Sequence, residues 1–360
     1  MKHNFFYTLA LAPIAFVYDI ITETRNKLFD WQIIPSTEFK FPVISVGNIT
    51  VGGTGKTPHI EYLIRLLSEK NYKIAVLSRG YKRKSKGFQD SETKAGIENL
   101  GDELYQMYKK FPMVGFFAHG KRVQGVKKII SKNKYDVILL DDAFQHRKIT
   151  PGLSILINDY NRPFYEDHLL PLGRLREHPH QKKRAQLIIT SKCPPNLKPI
   201  EQRIVFNKLK MYPYQDLYFS TMLYANVKPV FGQNTEAQNW DAFLSKYEKI
   251  ILFTGIAQAQ HLKNEIEQHG KLAGHFEYPD HYSFQKKDIE EIEKKYSSET
   301  GQKIILTSEK DASRLKELNE DIFKEKNHYF YIEIEVELLN KTKEFHEQIL
   351  QYVANNRRKH

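Results

Sequence analysis

Cysteine is nearly absent from this 360-residue chain: Cys193 stands alone. That excludes an intramolecular disulfide, a Cys-rich zinc site and a secreted disulfide scaffold, and the cytosolic side of a membrane is the compartment that fits. An uninterrupted hydrophobic run is also missing. The stretch 5–18 offers 14 apolar or near-apolar positions broken by Pro13, short of the ~20 residues a spanning helix needs. An Ala-x-Ala at Ala10 and Ala12 makes a poor cleavage site, because the run is short and Pro13 follows directly. Two readings remain for residues 1–31: an interfacial helix or an ordinary buried one. The apolar face beside Lys2, Arg25 and Lys27 favours the membrane interface.

Other absences narrow the function. No zinc spacing, aromatic nucleic-acid signature or unbroken basic helix face occurs, so no nucleic-acid partner is expected despite a net charge of +12. The positive charge also suits anionic lipid headgroups and phosphorylated substrates, and part of it is the terminal cluster Arg357, Arg358 and Lys359. A guanine-specifying Asn/Thr-Lys-x-Asp is missing too. Its nearest counterpart, "TSKCP" at 190–194, has Pro194 in place of the aspartate, so adenine is expected over guanine.

What is present is an alternation of short apolar runs and helical patterns. The runs are 41–46, 73–78, 113–118, 136–141, 153–158 and 186–190. Near-continuous apolar strands separated by helices predict a parallel sheet covered on both faces. Residues 211–232 are rich in tyrosine and flanked by prolines, and read as a connector. Alternation resumes at 249–257 and 302–312, which predicts a second, smaller α/β domain over 233–360 after a core over 32–210. The fold class expected is α/β, a P-loop NTPase-like parallel sheet flanked by helices, with this second α/β domain.

The segment "VGNITVGGTGKTPHIEYLI" at 46–64 runs from strand through glycine loop to helix. The helix sets Ile60, Leu63, Ile64 and Leu67 on one face. Gly55, Lys56 and Thr57 close a phosphate-binding pattern, but Thr50 occupies its first glycine position and Gly52 and Gly53 are shifted inward. The chemistry is nonetheless complete. Glycines at 52, 53 and 55, with Thr54 between them, let backbone N–H groups close on phosphate oxygens; Lys56 bridges the outer phosphates, and the Thr57 hydroxyl ligates Mg²⁺. Carboxylates for that metal come from "YDVILLDD", whose Asp141 and Asp142 fall at the carboxyl edge of a buried strand. Adjacent residues of an extended chain point to opposite sides, so at most one of the two ligates directly.

Three further clusters are individually weak: "NLGDELYQM", "LPLGRLREHP" and "YPDHYSF". Taken together with the offset glycines, "LSRGYKRK", "DDAFQHR", "DYNRPF", "FTGIA" and "TSEKDASRL", they resemble the tetraacyldisaccharide 4′-kinase family over most of the chain. The resemblance implies transfer of the ATP γ-phosphoryl group to the 4′-hydroxyl of an acylated glucosamine disaccharide 1-phosphate, in lipid A biosynthesis. It also implies an N-terminal helix seated peripherally or monotopically at the cytoplasmic face of the inner membrane.

Carried over by position, Asp102 resembles the carboxylate that works with His281 to activate the acceptor hydroxyl, one from each domain, so that domain closure gates ATP use. Lys56 and Arg176 spread the charge of the transferring phosphoryl group, while Thr57, Asp142 and Glu177 stand on the metal side, with Asp141 able to replace Asp142. Tyr81, Gln145 and His146 line the site. Two residues depart from the family pattern: Ala143 stands where glycine is frequent, and Arg174 where proline is, which leaves loop geometry open. The rival reading, a P-loop ATPase or GTPase switch controlling a protein partner, would show nucleotide turnover that responds to a protein and not to lipid.

Overall fold

The computed structural model describes residues 5–81, 83–231, 238–256, 259–280, 282–316, 318 and 327–357. The chain divides into two compact units, Met1–Met222 with Val336–His360, and Leu223–Glu335.

In the first unit, helix α1 (Phe5–Asp30) precedes a sheet of seven main strands: β1 (Val43–Gly47), β2 (Ile74–Ser78), β3 (Gly115–Ala118), β4 (Val137–Asp141), β5 (Leu153–Asp159), β6 (Leu187–Ser191) and the start of β7 (Asp216–Pro229). Their spatial order is β7-β6-β5-β1-β4-β2-β3, and every one of these pairings is parallel. Strands β1 to β6 are buried along their whole lengths, as their unbroken apolar runs require of a sheet covered on both faces. Each of the six runs read from sequence is one of these strands.

Helix α2 (Lys56–Glu69) follows β1 and buries Ile60, Leu63, Ile64 and Leu67 against it, the face its spacing predicts. Helices α3 (Asp102–Lys110) and α4 (Arg122–Ser131) connect β2 to β3 and β3 to β4. β1 lies between β4 and β5, both later in sequence, and Val46 pairs with Asp141. The carboxyl ends of β1 and β4 therefore finish side by side, at the kind of switch point where open α/β sheets bind ligands.

In the second unit β8 (Lys249–Thr254), β9 (Leu272–Glu277), β10 (Lys303–Ser308) and the start of β11 (Tyr329–Leu338) pair in parallel, in the order β9-β8-β10-β11. Here Asp311 accepts from the Gly255 backbone N–H at 2.9 Å, and Arg314 donates to the Gly255 carbonyl at 2.9 Å. This buried network ties "FTGIA" to "TSEKDASRL".

Two boundaries differ from expectation. Much of the expected connector at 211–232 is the single 14-residue strand β7, whose tyrosines and branched residues are strand formers. The final stretch does not belong to the second unit: the C-terminal helix α5 (Thr342–Asn356) buries Phe345, Ile349 and Val353 in the core around Val46 and Leu63. Its Tyr352 hydroxyl lies 3.1 Å from both the N–H and the carbonyl of Val43, pinning the start of β1.

Candidate active site

The glycine loop leaves β1 at Gly47, where a Cβ would sit 2.7 Å from the Cβ of Phe144. Thr50, in the first glycine position of the usual pattern, forms an antiparallel bridge with Leu175; Val51 N–H donates to Arg174 O and Arg176 N–H to Ile49 O, each at 2.8 Å. An extended, paired residue needs no glycine, which accounts for the offset pattern. The same bridge carries Arg176 to the loop. Gly52 (φ +108°) and Gly55 (φ +90°) hold the backbone where side chains are strained, and Gly55 opens α2 directly.

Asp142 follows β4 with φ +45°, and its N–H donates to Val46 O at 3.1 Å. The positive φ thus falls on Asp142 and not on Ala143, so alanine there needs no special backbone. The Asp142 carboxylate is 3.6 Å from Lys56 Nζ and 3.2 Å from Arg176 Nη1. Burial pushes this carboxyl up, but Lys56 and Arg176 outweigh burial and hold it below the usual range. Gln145 completes the group: its Oε1 accepts from Arg176 at 3.2 Å and its Nε2 donates to Asn48 O at 2.7 Å.

Asp141 is buried, and burial, then Glu103 and Asp142, push its carboxyl up to about 7. Glu103 and Asp102 form the first turn of α3, where the helix dipole favours carboxylates. Gly101 before them has φ +85°, and a Cβ there would meet Tyr81 O at 2.5 Å. The Tyr81 loop and the Asp102 turn are therefore held together, with the Tyr81 side chain exposed. His146 is half-buried, and burial, then Arg122, lower its imidazole to about 4. His281 lies outside the described residues.

Glu177, expected on the metal side, has one carboxylate oxygen committed to protein partners, while the other, Oε1, is buried without a hydrogen-bond partner among the described residues. The residue is buried, its Oε2 accepts from Asn26 Nδ2 at 3.0 Å and from Arg184 at 2.5 Å, and Arg184 neutralises it. Its neighbours include α1, which reaches the site in two further places. Tyr18 Oη donates to Arg176 O at 3.0 Å, and Arg25 donates to Gln145 O at 2.8 Å.

Arg122 was not singled out in the sequence. Its guanidinium is buried, donating to His119 O at 2.9 Å and Asp141 O at 3.2 Å, and burial lowers it to about 10. The available signal was a basic residue opening a helix beside a carboxylate-bearing strand, too common a pattern to single it out. Asn48, whose Nδ2 donates to Thr54 Oγ1 at 2.8 Å, was missed because it reads as an ordinary loop residue.

Among the described residues no three acidic, histidine or cysteine side chains cluster as a protein-only metal cage. Mg²⁺ takes few protein ligands and completes its shell with water and substrate phosphates. A carboxylate beside the loop and a second one raised by burial and then by its acidic neighbours fit such an ion.

Residues 7–354 match the family model described as "Tetraacyldisaccharide-1-P 4'-kinase". The chain is 43% identical to the tetraacyldisaccharide 4′-kinase of Bacteroides thetaiotaomicron, over 97% of this chain and 94% of that protein. It is 42% identical to that of Flavobacterium johnsoniae, over 96% and 97%. The crystal structure of LpxK from Aquifex aeolicus in complex with ATP is similar with a TM-score of 0.74 and 28% identity, covering 96% of this chain and 98% of that one.

Proposed function

The chain belongs to the tetraacyldisaccharide-1-P 4′-kinase family, and from that premise we propose how its own residues carry the reaction. It is an ATP-dependent kinase that transfers the γ-phosphoryl group to the 4′-hydroxyl of tetraacyldisaccharide 1-phosphate, a step of lipid A biosynthesis.

The single observation that carries the assignment of roles is the meeting of Lys56, Arg176 and Asp142 at the ends of β1 and β4. Residues 52–57 wrap the phosphates, with the N–H groups opening α2 facing an anion as helix N-termini do. Lys56 and Arg176 stabilise charge on the transferring group. Thr57 and Asp142, or Asp141 in its place, would hold Mg²⁺, whose charge would offset the negative charge that develops on the transferring group. Asp102 takes the proton of the acceptor hydroxyl; the assignment of His281 as its partner rests on the sequence resemblance alone. Tyr81, Gln145 and His146 line the site, and Gln145 fixes the Arg176 guanidinium.

The same helix that supports this site offers its other face to a bilayer. Ile14, Phe16, Val17, Ile20 and Ile21 are each 50–65% exposed. Among the described residues no helix is long and apolar enough to cross a membrane. An α1 lying in the interface of the membrane that holds the acylated substrate is the arrangement this exposed face supports; that this is the cytoplasmic face of the inner membrane rests on the family resemblance.

The test is ATP γ-phosphate transfer to detergent-dispersed tetraacyldisaccharide 1-phosphate by the unaltered protein, Asp102→Ala and His281→Ala. A loss of roughly 10²–10⁴-fold in kcat is expected for removal of a general base. Undiminished turnover by Asp102→Ala would remove that residue from the chemistry.

A further inference from the structure

Three successive carbonyls of the glycine loop are each taken by a side chain from outside it. Lys192 Nζ donates to Gly53 O and is itself held by Asp159 at 2.7 Å. The Ser191 hydroxyl lies 2.8 Å from Thr54 O and 3.1 Å from Asn158 O. His59 Nδ1 is 2.7 Å from Gly55 O, and its Nε2 is 2.9 Å from Ser220 Oγ. Ser191 and Lys192 lie outside the segments that carry the family resemblance.

A carbonyl oxygen only accepts, so Nδ1 of His59 must donate to Gly55 O, and Nε2 is left to accept from the Ser220 hydroxyl. The ring is buried, which suits this neutral form. In a planar trans peptide the C=O of one residue and the N–H of the next point in opposite directions. Ser191 holding Thr54 O therefore aims Gly55 N–H the other way, and His59 holding Gly55 O does the same for Lys56 N–H. Thr54 N–H is already committed to Gly52 O at 3.0 Å. The two aimed amides are those at the mouth of α2, where helix N–H groups have no partner within the helix.

We propose that His59 and Ser191 are positioning residues for phosphoryl transfer, which fix from behind the peptide planes whose N–H groups bind the phosphates of ATP. This rests on the reading of residues 52–57 as the phosphate loop. It gives "TSKCP" a role other than base recognition: the end of β6 is the backing of the loop. Ser220, on β7, in turn fixes the tautomer of His59.

The experiment compares His59→Leu, His59→Asn, Ser191→Ala and Lys56→Ala in the full-length protein, measuring kcat, KM for ATP, KM for the lipid acceptor, direct ATP binding and thermal unfolding. Loss of one donor should raise KM for ATP by about 3–10-fold in His59→Leu and in Ser191→Ala, with KM for the lipid unchanged. His59→Asn, whose amide nitrogen can occupy the place of Nδ1, should recover most of the ATP affinity. The inference is overturned if His59→Leu and Ser191→Ala keep wild-type ATP binding while Lys56→Ala loses it. It is likewise overturned if the variants change both KM values alike, which is the mark of a general structural defect. If His59→Leu fails to fold, Ser191→Ala alone decides between these results. Undiminished ATP binding by Lys56→Ala would instead refute the phosphate-loop reading itself.

Discussion

Lys56 and Asp142 face each other across 3.6 Å, and Arg176 closes on the same carboxylate from 3.2 Å. One anion thus holds two cations, and in the proposed reaction phosphate oxygens would compete for both. Asp142→Asn removes a charge that repels ATP while leaving both cations. ATP binding without Mg²⁺ should therefore be as tight as in the unaltered protein or tighter, while kcat with Mg²⁺ falls roughly 100-fold or more. Titration of ATP with and without Mg²⁺ separates the two effects, and weaker metal-free binding would contradict this account.

Gly55 makes a prediction with two separable parts. Its φ of +90° is strained for any side chain, and a Cβ would also meet Met222 Cε at 2.4 Å. Gly55→Ala should weaken ATP binding by about 5–30-fold in a folded protein. Adding Met222→Ala relieves only the collision, so ATP binding should stay weakened; full recovery would show that the backbone conformation is unimportant.

The strands of the first unit were legible because each is an apolar run buried on both sides, and α2 because four apolar residues repeat on one face. The final helix carried an equally plain signal in Phe345, Ile349 and Val353. Period alone shows that a helix has a buried face and not which core receives it, so its return to the first unit was not legible. Lys56, Asp142 and Arg176 were found through motifs. Glu177 shared a motif with Arg176, yet their side chains turn to different partners, a distinction set for Glu177 by the nearby Arg184 and by Asn26 from the far end of the chain. His59 and Ser191 act on backbone carbonyls, and such contacts leave almost no compositional trace.

Glu61 and Lys110 join α2 to α3, the helices whose first turns carry Lys56 and Asp102. Their charged groups are 2.8 Å apart, with side chains 4% and 11% exposed. Removing one partner strands a buried charge, so Glu61→Gln should destabilise by about 3–5 kcal/mol. The double replacement Glu61→Leu with Lys110→Met should restore much of that stability in denaturant unfolding. A double variant no more stable than Glu61→Gln would show that the pair is not an independent unit.

Cys193 is buried, and burial pushes its thiol up to about 12 from an ordinary value near 9. A folded-state value above the unfolded one means that the folded protein holds this proton more firmly. Its contribution to stability is therefore complete below about pH 9 and is lost as pH rises toward 12. At pH 8 the thiol should react with iodoacetamide only as fast as the protein unfolds. Rapid stoichiometric labelling under native conditions would contradict the burial.

Helix α1 joins the proposed membrane contact to the chemistry, because its two faces have separate partners. One face reaches the site through Tyr18, Arg25 and Asn26. The other exposes Phe16 and Ile20, and burying such side chains in a bilayer is worth about 1.5–3 kcal/mol each. Phe16→Glu with Ile20→Glu should therefore release the protein from anionic vesicles by a factor of 100 or so, while kcat on detergent-dispersed substrate stays unchanged. Tyr18→Phe should do the reverse: it removes a hydrogen bond to the backbone of Arg176 and lowers kcat, with vesicle binding intact. If the double glutamate variant sediments with vesicles as fully as the unaltered protein, the exposed face of α1 is not the membrane contact. If it loses kcat in detergent as well, the two faces are not independent, and the helix acts on the site through its fold alone.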